Sequence, residues 1–122
     1  MTARPTVLLC DDSRALRMLA AGQLEEAGFD VVGEAGNGLE ALDRYRELRP
    51  DLVLLDLVMP ECDGRQALAR LLELDPAAKV VILSSLGAQG DIEECLRLGA
   101  HSYLQKPIDP DAMERVLRQA LA

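Results

Sequence analysis

The sequence predicts an α/β fold: a doubly wound, parallel five-stranded sheet with five helices. Three observations carry that expectation. Strand-like and helix-like stretches alternate five times with no linker or low-complexity segment between them. The runs Val7-Leu8-Leu9-Cys10, Leu52-Val53-Leu54-Leu55 and Val80-Val81-Ile82-Leu83 are apolar without alternation. That is the pattern of strands buried on both faces. These runs, and the short Tyr103-Leu104-Gln105, each close on a polar group: Asp11-Asp12, Asp56, Ser84 and Lys106-Pro107.

The elements follow in order. Thr6–Cys10 is a strand, and residues 13–27 form a helix with Leu16, Leu19, Ala20, Leu24 and Ala27 on one stripe, stopped by Gly28. Asp30–Ala35 is the second strand, and Leu39–Leu48 the second helix, ahead of Pro50. Leu52–Asp56 is the third strand, and Gly64–Leu74 is a helix ended by Asp75-Pro76. Residues 79–84 form the fourth strand, and residues 91–98 a helix closed by Gly99. Ser102–Gln105 is a short fifth strand, and Pro110–Leu121 the last helix, with Asp109 as N-cap and Pro110 in the first turn. Right-handed crossovers wind such a chain on both faces of its sheet. The first strand is apolar enough to be central and to neighbour the third. The flavodoxin-like order 2-1-3-4-5 satisfies this and places the topological switch point at their carboxyl ends, where open α/β sheets bind ligands.

The composition narrows the function classes. A chain of 122 residues with 49% hydrophobic content fits one folded domain. A net charge of -8 argues against direct nucleic-acid binding. No apolar stretch has the length of a membrane span, and none reads as a signal peptide. Three cysteines without metal-site spacing suit reduced thiols in the cytoplasm. Cys10 is expected at the end of a buried strand, Cys62 in an exposed loop and Cys95 on a helix, all without a chemical role.

The polar strand ends carry the chemistry. In parallel strands, Asp11, Asp12 and Asp56 converge, and like charges that close repel unless a cation intervenes. Hard carboxylate oxygens without His or thiolate suit Mg²⁺. Ser84 adds a hydroxyl and Lys106 a fixed positive charge. Phosphoryl transfer to a carboxylate needs such a set: a nucleophile, a metal and donors for the equatorial oxygens. Asp56, alone at the central strand end, is the candidate nucleophile, and the adjacent pair is better suited to the metal. Each residue also has an ordinary role. The Asp pair can cap the first helix, Asp56 and Ser84 can be turn residues, Lys106 a solvated lysine and Tyr103 strand packing. Specificity lies in all four strand ends being polar in the expected order.

Taken together, Leu8-Leu9-Cys10-Asp11-Asp12-Ser13, the segment from Leu55-Asp56 to Met59-Pro60-Glu61-Cys62-Asp63-Gly64, Ile82-Leu83-Ser84-Ser85 and Lys106-Pro107 resemble the motifs of two-component response-regulator receiver domains. The resemblance covers essentially residues 1–122, with Gly33-Glu34-Ala35, Asn37-Gly38 and Leu98-Gly99-Ala100 also fitting. It implies a phosphorylation switch of the stand-alone chemotaxis type, cytoplasmic, that takes a phosphoryl group from a sensor histidine kinase onto Asp56. It implies Mg²⁺ held by Asp12, Asp56 and the Val58 backbone carbonyl, with Asp11 acting through water. Lys106 would contact a phosphoryl oxygen, ahead of a cis bond to Pro107. Ser84 would draw toward the phosphoryl group. Tyr103 would turn inward, remodelling the face of helix four, strand five and helix five for a downstream output protein. Such a protein catalyses its own phosphorylation and dephosphorylation rather than turnover of a substrate.

Four positions depart from the family pattern or vary within it. Ser84 stands for the commoner Thr, and Ile108 for the aromatic residue that often follows the proline. Val58 and Leu86, two residues beyond Asp56 and Ser84, are apolar and offer no group to orient a hydrolytic water, which favours a long-lived acyl phosphate. The chain also reads as the receiver module of a larger regulator. Other classes fit less well. A Mg²⁺-dependent aspartyl-phosphate phosphohydrolase places its nucleophile first of two Asp residues on strand one. A flavin module needs a phosphate loop where Asp11-Asp12 would repel one, and aromatic rings beyond Phe29, Tyr45 and Tyr103.

Overall fold

The computed structural model describes residues 4–59, 63–85 and 89–122. Strands β1 (Thr6–Cys10), β2 (Asp30–Ala35), β3 (Leu52–Asp56), β4 (Val80–Ser84) and β5 (Ser102–Gln105) alternate with helices α1 (Arg14–Glu26), α2 (Gly38–Leu48), α3 (Gly64–Leu74), α4 (Gln89–Leu98) and α5 (Pro110–Leu121). The strands pair in parallel in the order β2-β1-β3-β4-β5. This is the flavodoxin-like arrangement expected from the sequence.

Strand alternation divides the core into two layers. Leu8, Cys10, Val53, Leu55, Val80 and Ile82 point to one face and pack with Ala41, Leu42 and Tyr45 of α2, Ala67, Leu68 and Leu71 of α3, and Ile92 and Cys95 of α4. Val7, Leu9, Leu52, Leu54, Val81 and Leu83 point to the other and meet Ala20 and Leu24 of α1, Phe29, and Met113, Leu117 and Ala120 of α5. β3 and β4 are buried along their whole length, whereas the edge strands β2 and β5 are only partly covered. Fully burying one such Leu or Val side chain contributes roughly 1.5–3 kcal/mol, so the central strands anchor the fold.

The strand and helix ends depart from the sequence reading by at most two residues. Ser13 is the N-cap of α1, its hydroxyl accepting the Leu16 N–H at 3.3 Å, and Ala27 is the C-cap. Asn37 caps α2 through the Glu40 N–H, so that helix begins at Gly38. α4 begins at Gln89 rather than Asp91, and β4 at Val80 rather than Lys79. Asp109 caps α5 with Pro110 in its first turn, as expected. Gly28 (φ 96°) and Gly99 (φ 124°) follow α1 and α4 in backbone conformations that favour glycine. Arg49 takes the left-handed conformation after α2 (φ 44°), a position where the sequence offers no glycine.

The α1 stripe is the one packing expectation that fails in part. Ala20 and Leu24 are buried, but Leu16 and Leu19 are 43% and 61% exposed. Both line a hollow beside Lys106, Pro107 and Ile108 instead of the core. The stripe is longer than the surface that covers it. Cys10 ends the buried strand β1 and Cys95 lies on α4, as expected, and both are buried free thiols; Cys62 lies outside the described residues.

Gly64 sets how closely α3 approaches β3. A Cβ there would collide with the Asp56 carbonyl oxygen and the Leu57 Cα, both backbone atoms that cannot swing aside. Gly22 is the converse, a helix-interior glycine with nothing within 4 Å of an added Cβ. Gly64→Ala is expected to lower stability by about 1–3 kcal/mol through overpacking. Gly22→Ala is expected to raise it by about 0.5–1 kcal/mol by improving helix propensity. Urea unfolding of both variants checks the opposite signs.

Candidate functional site

The parallel register brings the strand ends together. Cys10 lies opposite Leu55, Asp56 opposite Leu83 and Ser84 opposite Gln105. The residues that follow or end β1, β3, β4 and β5 therefore meet at one sheet edge. Backbone bonds continue this alignment past the strands. The Asp11 N–H donates to the Ala35 carbonyl at 3.0 Å, Leu57 to Leu83 at 3.1 Å, and Lys106 to Ser84 at 2.7 Å.

Asp11, Asp12 and Asp56 form an acidic group in which one carboxylate oxygen from each lies within 4.8 Å of the others. Asp11 and Asp56 are buried, and Asp12 is exposed. Lys106 lies between the two buried carboxylates, its Nζ 2.9 Å from Asp11 Oδ2 and 3.1 Å from Asp56 Oδ2. The remaining oxygens of this pair are also held. Asp11 Oδ1 accepts the Ser13 N–H at 2.9 Å, and Asp56 Oδ1 accepts the Val58 N–H at 3.2 Å. The carboxylate of Asp12 makes no hydrogen bond among the described residues, so it is free to bind from solvent.

Burial raises the Asp56 pKa above the ordinary carboxylate value; the Lys106 bond and the Val58 N–H pull it back, and Asp11 pushes it up. Burial lowers the Lys106 pKa, but its bonds to Asp11 and Asp56 outweigh this and the net shift is upward. The ammonium is thus fixed at neutral pH. Three carboxylates facing one ammonium leave the site short of positive charge. A hard cation with oxygen preference fits the deficit and the donor set.

Ser84 is fully buried, and its hydroxyl has no hydrogen-bond partner among the described residues. Unpartnered buried hydroxyls are costly and rare. Tyr103, on β5, is 45% exposed and lines a hollow with Ser84, Gln89, Ile92 and Leu96 between β5 and α4. The Lys106-Pro107 bond is cis, as expected. Val58 is 73% exposed. Pro60, Glu61, Cys62 and Leu86 lie outside the described residues.

The structure thus gathers Asp11, Asp12, Asp56 and Lys106 in direct contact or close proximity, with Ser84 and Tyr103 on the adjoining strands. The sequence reading missed Arg17, whose guanidinium donates to the Asp11 main-chain carbonyl and, at 3.0 Å, to Glu34 Oε1. The available signal was its place one helical turn past Ser13, from which a long side chain reaches back toward the helix start.

Comparison with known proteins agrees with this architecture. The sequence pattern of the response regulator receiver domain matches residues 7–118. The chemotaxis protein CheY of Thermotoga maritima is 37% identical over 113 residues, covering 93% of this chain and 94% of that protein. The chemotaxis protein CheY of Listeria monocytogenes is 40% identical, covering 93% of this chain and 96% of that protein. A chain of the CheX–CheY–BeF3–Mg²⁺ complex from Borrelia burgdorferi superposes with a TM-score of 0.91 at 29% identity, over 96% of this chain and 89% of that one. The polar strand ends, the sheet order and these relatives converge on one assignment: the chain belongs to the response regulator receiver domain family.

Proposed function

We propose that this receiver domain is a phosphorylation switch in which Asp56 accepts a phosphoryl group from a sensor histidine kinase. The observation that carries the reading is the clamp of Lys106 on Asp56 beside the Asp11–Asp12 pair. In the transfer, an Asp56 carboxylate oxygen forms a bond to phosphorus as the phosphorus–nitrogen bond of a phosphohistidine breaks. Lys106 is placed to neutralise charge on a phosphoryl oxygen. Mg²⁺ at Asp11, Asp12, Asp56 and the Val58 carbonyl would supply further charge neutralisation for the transferring group. The Borrelia relative, a complex with BeF3 and Mg²⁺, supports both components. The match to chemotaxis proteins over nearly their whole length favours the chemotaxis subtype, with a downstream protein recognising α4, β5 and α5.

Treatment with acetyl phosphate and Mg²⁺ is expected to add one phosphoryl mass to the wild type and none to Asp56→Asn. Intact-mass measurement decides this, and undiminished labelling of the variant refutes the assignment.

The geometry also separates the acidic pair. Both Asp11 oxygens are engaged by Ser13 and Lys106, whereas Asp12 is exposed and free. This fits Asp12 as a direct metal ligand and Asp11 as one acting through water. Asp12→Ala is therefore expected to weaken Mg²⁺ binding by about 10-fold or more relative to Asp11→Ala. Calorimetric titration of both variants tests the difference, and equal loss contradicts it.

Ser84 is proposed as the sensor, its unpartnered hydroxyl turning to a phosphoryl oxygen and Tyr103 filling the space behind it. Ser84→Ala is expected to be phosphorylated but to lose most of the phosphorylation-dependent amide shifts in α4 and β5. A full set of shifts in the variant excludes Ser84 from the coupling.

A further inference from the structure

Arg17 is a second cation next to the acidic group, and nothing in the phosphotransfer reading uses it. Its side chain is 17% exposed. It joins three pieces of chain: the N-terminal turn of α1 from which it projects, the Asp11 carbonyl at the end of β1, and Glu34 near the end of β2. A Cβ on Gly36 would lie 3.5 Å from its Nη1, so the guanidinium rests against the β2–α2 turn as well.

The Asp11 carbonyl belongs to the planar peptide unit that carries the Asp12 N–H. Fixing that oxygen fixes the plane from which Asp12 departs. The Asp12 carboxylate makes no hydrogen bond among the described residues, so its approach to Asp11 and Asp56 is set by its backbone. We propose that Arg17 is a positioning residue for the metal site: it orients Asp12 by holding the Asp11–Asp12 peptide. Glu34 balances the guanidinium charge, so Arg17 contributes geometry with little added positive potential at the cation position. Its forked donors matter here, since one nitrogen holds Glu34 while another holds the carbonyl. A lysine ammonium keeps the charge without that fixed geometry.

The inference rests on the Mg²⁺ reading of the acidic group. The test is calorimetric Mg²⁺ titration of the full chain as wild type, Arg17→Ala, Arg17→Lys and Arg118→Ala, each with its urea midpoint. Arg118 is the control, because its Nη2 also donates to a main-chain carbonyl, that of Ala27 at 2.9 Å, away from the acidic group. Arg17→Ala is expected to bind Mg²⁺ about 10-fold more weakly, the scale of losing a group that orients a ligand. Arg17→Lys should fall between Arg17→Ala and the wild type, and Arg118→Ala should bind as the wild type. Wild-type affinity in Arg17→Ala overturns the inference and leaves the metal reading standing. An equal loss in Arg118→Ala also overturns it, because the effect is then general destabilisation. A wild type that binds no Mg²⁺ overturns the metal reading itself and the inference with it.

Discussion

The Lys106 ammonium between Asp11 and Asp56 is the interaction on which the carboxyl edge of the sheet depends. Two carboxylates that are almost wholly buried cannot both stay ionised without a nearby cation. Breaking a fully buried ion pair costs on the order of 3–5 kcal/mol because the remaining charge is stranded. The cost here is smaller, since the Lys106 side chain keeps 21% of its surface exposed. It is still a large fraction of the stability of a small domain. The raised pKa of Asp56 shows that the clamp does not fully offset burial. The same imbalance leaves the site receptive to a further cation.

Everything around this clamp holds its members in register. Parallel strands place their carboxyl ends on one edge, and the bonds from Asp11 to Ala35, Leu57 to Leu83 and Lys106 to Ser84 extend that alignment into the loops. Gly64 allows α3 to start against the Asp56 backbone. The Gly64 N–H donates to the Leu57 carbonyl at 2.9 Å, fastening the helix start to the strand end. The apolar layers on both faces keep the central strands dry, so the carboxylates at their tips inherit a low-dielectric floor.

Strand content was legible in the sequence because unbroken apolar runs ending on Asp, Ser and Lys leave little choice of boundary. β1, β2, β3 and β5 have the bounds expected, and so do α3 and α5, whose limits are marked by Gly64, Asp75, Asp109 and Pro110. Helix stripes carried less information. The periodicity that puts Leu16 and Leu19 with Ala20 and Leu24 does not reveal where the covering surface ends. The acidic triad and Lys106 could be found because they terminate strands. Arg17 could not, because an arginine in a helix is ordinary until the fold brings a carbonyl and a carboxylate to it. The unpartnered state of the Ser84 hydroxyl was likewise invisible, being a property of the packed neighbours rather than of the residue.

Under the phosphoacceptor reading, that hydroxyl gives the switch an energy scale. A buried donor without a partner costs about 1–3 kcal/mol relative to a satisfied one. A phosphoryl oxygen on Asp56, one strand away, would supply the missing acceptor and remove the cost in the modified state alone. A differential interaction of this kind is what moves a two-state equilibrium, and 1–3 kcal/mol is the usual size of coupling between sites. Under the same reading Tyr103 would report the change, because the hollow that Ser84 lines also borders its half-exposed ring. Among the described residues, Ser84 Oγ is the buried side-chain polar atom left without a hydrogen bond. Under that reading, a charge placed next to that hydroxyl would act through β4 on the hollow that Tyr103 borders.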